Sequence, residues 1–580
     1  MPSIATIRAF AATPAVRTRG SRRAAARRWA TLAFGAGLAL SSAWHAPAAV
    51  PPAARTVCTI TINSPDERDA FRRYLPAERF SFVELVERGR SDWLESARRA
   101  AIRCDVLVVS GHYDGGKVFF SDQVQVREHL PVAEMERVSC SDPGSGLFSQ
   151  LREVYLFGCN TLNAEATKRP SCEVERSLVR SGHSPAEAAR IARSLGVRHA
   201  ASSRDRMRLV FAGVPVIYGF ASTAPVGPVA GTLLAGYLKA GGGRRVGDGT
   251  VSEALLRQFR AHGLVATRGV SATDPEASHR KDVCTFADDR LAPAAKLAFV
   301  HALMNREAAE ARLFLDRIED FVESLDADAR RSPAIAAALD AIARDLAARD
   351  RFLAFARDAD EPAVRARMLS LAVDFRWLDE NEERLELARM IEDRLASGTL
   401  SEADVDLVCA LNRDGRLDAI LPRIERAGLP PDGVAQAAVA ACLGSADGRA
   451  RMLRALAGPR DEDVRVAQVF LQHRPLDGTD EVRAAVAGIE TMRESPAQVR
   501  ALETLSRQRI ADRESLLALT RLYAAARTAD LQSAVAGVLI RSDLDAIGRT
   551  ALLETVRLHR VKPASGETLV DVLIRVLESS

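Results

Sequence analysis

Lysine is almost missing from this sequence. Of its 80 basic residues only six are lysines, Lys117, Lys168, Lys239, Lys281, Lys296 and Lys562, and aromatic residues make up 5% of the 580 positions. A chain with no lysine-rich stripe and few stacking rings lacks the usual footprint of a nucleic-acid binder, and that class is set aside. Zinc spacing is missing too: none of the eight cysteines (58, 104, 140, 159, 172, 284, 409, 442) falls in a CxxC pair, so no metal and no cofactor is expected. There is no nucleophile elbow either, because Gly219-Phe220-Ala221-Ser222-Thr223 lacks its second glycine. The triplet Gly241-Gly242-Gly243 reads as a helix stop and loop, since no strand precedes it and no Lys-Ser/Thr follows.

With 47% apolar and 27% charged residues the composition is that of a globular chain, long enough for two to four domains of about 100–200 residues. Seven arginines and no acid occupy residues 1–48, so without them the formal charge falls from +4 to −3. That stretch also carries an apolar run at 29–40 and a small-residue exit, Ala46-Pro47-Ala48, which together read as a secretory signal peptide. The run is too short to span a bilayer. The expectation is export to a periplasm or the exterior, with no integral membrane span once the signal is removed, or a membrane anchor if it is retained. Arg27-Arg28 leaves the twin-arginine route open. In an oxidising compartment some cysteines pair, and Cys140 with Cys172 is one candidate bridge.

Residues 49–285 alternate short β-branched runs with amphipathic stretches, the pattern of an α/β domain around a mostly parallel sheet. Strands are expected at 57–62, 80–86, 105–110, 154–157 and 214–218, helices at 66–74, 92–102, 185–195 and 229–238, and a hairpin or edge strand at 117–126. Residues 286–580 lose the strand signal and become an all-α domain. There Ala363-Val364-Arg365, Asp463-Val464-Arg465, Glu481-Val482-Arg483 and Gln498-Val499-Arg500 each open an amphipathic helix. Val464 and Val499 stand 35 positions apart with Val482 between them. This pattern resembles HEAT-type helical repeats, a solenoid-like surface for a protein partner, with an irregular bundle as the alternative.

Two strand ends carry chemistry. The run Cys104-Asp105-Val106-Leu107-Val108-Val109-Ser110-Gly111-His112 delivers a histidine past a buried strand, and Glu153-Val154-Tyr155-Leu156-Phe157-Gly158-Cys159 delivers a cysteine 47 positions later. On neighbouring parallel strands about 4.8 Å apart, His112 and Cys159 emerge at one sheet edge. A thiol of ordinary pKa, about 8.5, becomes a nucleophile beside an imidazolium, which then protonates the amine leaving from a broken amide. Gly158 gives room for a tight turn, and backbone N–H groups near Cys159 and at Gly115-Gly116 are candidate oxyanion donors. The loop at 218–228, with Tyr218, Gly219 and Ser222, reads equally as a connection or a substrate wall.

A strand ending in Ser110-Gly111-His112, then a second ending in Gly158-Cys159-Asn160-Thr161, resembles the caspase-like cysteine peptidases, above all their bacterial CHAT branch. The segment 212–220 with the helix after it resembles the strand and helix lining that family's substrate pocket. The resemblance implies a caspase-like open sheet with flanking helices and a peptidase acting on a protein or peptide substrate, with His112 as general acid/base and Cys159 as nucleophile. Two departures mark this chain. Tyr113-Asp114 separates the histidine from the next glycine, and Ser222-Thr223-Ala224-Pro225 replaces the family's usual acid, so cleavage preference is not inherited. A non-catalytic interaction scaffold on the same fold is the competing reading.

Overall fold

The computed structural model describes residues 54–580 apart from 91, 122–127, 142–143, 145, 166–178, 180–183, 199–201, 307, 399, 428–432, 563–567 and 580. The expected signal segment, Cys172 and the far end of the 117–126 hairpin lie outside the described residues.

A six-stranded sheet organises the first half, in the order β2-β1-β3-β7-β8-β9. Its strands are β1 (Arg55–Thr61), β2 (Phe80–Glu84), β3 (Val106–Ser110), β7 (Glu153–Phe157), β8 (Val216–Phe220) and β9 (Leu264–Thr267). The first five are mutually parallel, whereas β9 closes the edge antiparallel to β8. That edge strand is absent from the sequence expectations; its four residues, Leu-Val-Ala-Thr, are too short a run to stand out. β8 begins two residues later than expected because Pro215 has no N–H for the ladder.

Alternation along the central strands feeds two cores. Val106, Val108, Tyr155 and Phe157 face helices Asp66–Tyr74 and Gly227–Lys239, where Phe71, Ala230 and Leu234 complete the packing. Leu107, Val109, Val154 and Leu156 face the other way, onto Trp93, Met135 and Met207 of helices Trp93–Arg99, Val132–Ser141 and Ser203–Val210. Burial on both faces is why these strands read as unbroken apolar runs rather than as alternating ones. Helix Asp66–Tyr74 opens with Asp66, Glu67 and Asp69 and closes with Arg72 and Arg73, charges that suit its dipole. It lies tightly against Gly227–Lys239, where a Cβ on Gly231 would come within 3.1 Å of the Asp66 carbonyl.

A second, three-stranded antiparallel sheet branches off after β3: β4 (His112–Tyr113), β5 (Val118–Phe120) and β6 (His129–Pro131). Its β5 falls within the predicted hairpin.

From Pro293–Met304 to Leu569–Glu578 the regular elements are helices, and their buried residues form one continuous apolar cluster from Val283 to Leu577. The four Val-Arg recurrences fall near the starts of helices Pro362–Asp374, Asp461–His473, Gly478–Glu490 and Pro496–Leu505. Helices alternate between two rows. Asp461–His473, Pro496–Leu505, Ala529–Ile540 and Leu569–Glu578 pack in succession in one, and Gly478–Glu490, Arg513–Ala525 and Arg549–Leu558 in the other. Arginine–carboxylate pairs tie helices together across the stack, among them Arg483 with Asp512 and Arg500 with Asp461. Among the described residues no helix is long and apolar enough to cross a membrane.

Among the described residues there are three disulfides, Cys58–Cys104, Cys140–Cys284 and Cys409–Cys442. The expected pairing of Cys140 with Cys172 is therefore replaced, because helix Ala277–Ala287 packs on helix Val132–Ser141 and brings Cys284 to a Cα–Cα distance of 5.1 Å from Cys140. Packing between segments 144 residues apart left no local signature for this pairing.

Candidate active site

β3 and β7 are neighbours, with Ser110 paired to Phe157 at the end of the ladder, a constant offset of 47. The strands stay together beyond it, since Gly111 N–H donates to the Phe157 carbonyl at 3.2 Å. Beyond the ladder Gly158 packs against Gly111 and Tyr113, the residues that flank His112, so Cys159 and His112 sit on adjacent segments. Both are half-buried. Tyr113, next to His112, turns its ring into the core against Phe119, leaving His112 on the opposite face, where its ring lies 5.6 Å from that of Phe120. Cys159 is a free thiol, whereas the other described cysteines are all in disulfides.

The turn that carries Cys159 is held from several sides. Gly158 sits where a Cβ would approach the Gly111 carbonyl to 2.9 Å and Tyr113 Cβ to 3.0 Å, so this position requires glycine. Asn160 adopts the left-handed conformation at φ 57°, which asparagine tolerates better than most residues, and its N–H donates to the Ser222 carbonyl at 2.8 Å. The fully buried Thr161 hydroxyl donates to the Gly158 carbonyl at 3.2 Å and accepts from Phe220 N–H at 3.0 Å. Thr161 thus clamps the turn to β8.

The loop after His112 is equally organised. Asp114 Oδ1 accepts from the N–H groups of Gly116 (2.8 Å), Lys117 (2.7 Å) and Val118 (3.0 Å), which hold its carboxyl below the ordinary range against the opposing effect of burial. The Gly116 N–H, an expected oxyanion donor, is thus committed to Asp114 in this conformation. Gly115, at φ 83°, turns the chain, and its carbonyl accepts from Ser203 Oγ at 2.7 Å. Arg206 reaches the Gly116 carbonyl, fastening the loop to helix Ser203–Val210.

The 218–222 segment divides. Tyr218 belongs to the core: its ring stacks on Tyr155 at 5.0 Å, and its hydroxyl accepts from Ser252 N–H at 2.8 Å. It was expected at the strand end, but β8 runs on to Phe220 and leaves Tyr218 in mid-strand, packed away from the edge. Gly219 makes room for the Cys159 turn, since a Cβ there would lie 2.6 Å from Thr161 Oγ1. Ser222 is exposed at the edge, joined to the turn through its carbonyl.

Glu67 is an acid at this edge that sequence reasoning missed, because an acidic residue in the first turn of a helix looks like an ordinary dipole partner. It is 3% exposed. Burial pushes its carboxyl up to about 7, opposed by its own backbone N–H and by the facing Ser110 hydroxyl, and assisted by Asp66. Neither Glu67 Oε2 nor Ser110 Oγ completes a full hydrogen bond.

A groove of about 760 Å³ opens elsewhere, between helices Pro496–Leu505 and Ala529–Ile540, lined by Val499, Arg500, Glu503, Ala534, Gly537 and Leu569. Among the described residues no group of three or more His, Cys, Asp or Glu side chains is placed to hold a metal ion. No family model, no curated protein and no solved structure matches the chain.

Proposed function

We propose that the protein is an exported, caspase-like cysteine endopeptidase in which His112 and Cys159 form the catalytic dyad and the C-terminal helices, as HEAT-like repeats, recruit a protein substrate or regulator. The observation that carries this reading is the pairing of β3 with β7 and the packing of Gly158 on the residues that flank His112, so that the free thiol of Cys159 and His112 sit on adjacent segments beyond the carboxyl ends of a parallel sheet, the edge where open α/β sheets bind their ligands. The three disulfides support export, since they persist in an oxidising compartment.

In this mechanism the Cys159 proton passes to His112 and the thiolate attacks the substrate carbonyl. Backbone N–H groups at the turn stabilise the oxyanion. Collapse of the tetrahedral intermediate expels the amine, which takes the proton from His112, and water then hydrolyses the thioester with His112 as base. The test is cleavage of a denatured protein mixture by the mature chain. Cys159→Ala is expected to abolish cleavage while leaving the circular dichroism spectrum unchanged; cleavage that survives would end this reading.

A second reading, a non-catalytic scaffold, draws on the Gly116 N–H being already committed to Asp114. It expects no cleavage by the wild-type chain and partner binding that Cys159→Ala leaves intact.

A further inference from the structure

Seven carboxylates are buried among the described residues: Glu67, Glu136, Glu153, Glu276, Glu383, Glu386 and Asp404. Five of them face an arginine: Glu136 with Arg317, Glu276 with Arg208, Glu383 with Arg416, Glu386 with Arg357 and Asp404 with Arg394. Glu153 instead accepts from Gly249 N–H at 3.0 Å and Tyr155 OH at 2.7 Å. Glu67 stands apart, with a serine hydroxyl and its own N–H set against the cost of burial. A buried carboxylate with so little compensation is expensive to keep ionised. Such a group at the edge of a candidate site points to a role there.

Its position gives that role. Glu67 faces Ser110, the last residue of β3, and His112 opens β4 two residues further along the chain. Other charges around the helix are placed differently. Asp66 precedes Glu67 and holds the Ser64 hydroxyl at 2.6 Å; Arg68 pairs with Asp69 and Glu84; Lys239, from the helix packed alongside, sits at the far end over Tyr74. His112, which opens β4 two residues beyond Ser110, is a group at this edge that can carry a positive charge.

We propose that Glu67 is a positioning residue of the His112/Cys159 site: acting across the Ser110 hydroxyl, its carboxylate supplies the negative charge that stabilises His112 as imidazolium. The inference rests on the dyad reading and deepens it. When Glu67 ionises, its proton leaves to solvent; the Cys159 proton moves to a ring nitrogen of His112, and the resulting thiolate–imidazolium pair gains a second anion on the side of the cation. The ionisations of the three groups are then coupled. Because burial sets the Glu67 carboxyl to about 7, this assistance switches on around neutral pH.

The experiment is the rate of iodoacetamide alkylation at Cys159 between pH 5 and 9, resolved by peptide mass spectrometry, in the full chain, in Glu67→Gln and in His112→Ala. The expected effect is a fall on the order of tenfold at pH 7 in Glu67→Gln, with the profile displaced to higher pH. The sign is diagnostic: a carboxylate acting on the thiolate directly would make Glu67→Gln react faster, and that result overturns the proposal. An unchanged profile in Glu67→Gln alongside a displaced one in His112→Ala also overturns it while leaving the dyad standing. If His112→Ala has no effect, the dyad reading itself fails and the Glu67 role with it. Ser110→Ala, which keeps the acid and removes the intervening hydroxyl, is expected to shift the profile in the same direction, and serves if Glu67→Gln does not fold.

Discussion

Arg317 of helix Leu315–Glu323 reaches back into the α/β half and grips Glu136 of helix Val132–Ser141 with two hydrogen bonds, at 2.6 and 2.8 Å. The Glu136 side chain is 3% exposed and that of Arg317 27%. Burial alone would raise the Glu136 carboxyl, but Arg317 outweighs it, helped at longer range by Arg206 and Arg280, so the group titrates below its ordinary 4.5. Removing one partner of a buried pair typically costs about 3–5 kcal/mol. Arg317→Met leaves Arg206 and Arg280 near the carboxylate, which places the expected cost near the lower end, about 3 kcal/mol. Glu136→Gln leaves three guanidinium groups around a neutral amide and is expected to cost at least as much. The double variant should cost less than the sum, with a coupling of about 2 kcal/mol, because neither charge then remains unpaired. Hydrogen exchange across helix Val132–Ser141 is the assay, since it reads local opening in a chain too large for one cooperative transition. The folded-state pKa of Glu136 is depressed, so the pair's contribution is fully present above about pH 4.5 and is lost as pH falls through the folded-state value. The penalty in Glu136→Gln should therefore shrink in acid. Strictly additive costs, or an Arg317→Met chain that protects this helix as the wild type does, would refute the argument. Because Arg206 also holds the Gly116 carbonyl, loosening this cluster is expected to loosen the loop behind His112 as well.

Gly158→Ala is expected to destabilise the chain by about 1–3 kcal/mol and slow alkylation of Cys159, because the new methyl would press on the Gly111 carbonyl at 2.9 Å, a backbone atom that cannot step aside; equal melting temperature and equal alkylation rate would contradict this. The Cys409–Cys442 disulfide closes a 33-residue separation among the C-terminal helices. Replacing both cysteines by alanine should cost about 3–4 kcal/mol of stability there by loop entropy while leaving Cys159 alkylation unchanged, as differential scanning calorimetry with peptide mapping would show.

Much of the architecture was legible because it depends on local pattern. Helix 66–74 was read to its ends, since amphipathic periodicity is a signal carried by the segment itself. The apolar runs of β3 and β7 marked both strands, and their ends named His112 and Cys159 as the residues to watch. Tyr218 was misplaced because strand limits depend on what the neighbouring strand offers: pairing with β7 and β9 extends β8 to Phe220 and draws the tyrosine into the core.

The sequence by itself therefore determined the order of elements, the change from an α/β half to a helical one, and the two reactive residue types at strand ends, because periodicity, caps and side-chain chemistry are properties of short segments. Only the tertiary structure decided that β3 lies beside β7 with Ser110 level with Phe157, that Cys140 pairs with Cys284, and that Glu67 is the buried acid compensated by so little. Each of these depends on which distant surfaces exclude water together, and no short stretch of chain carries that information.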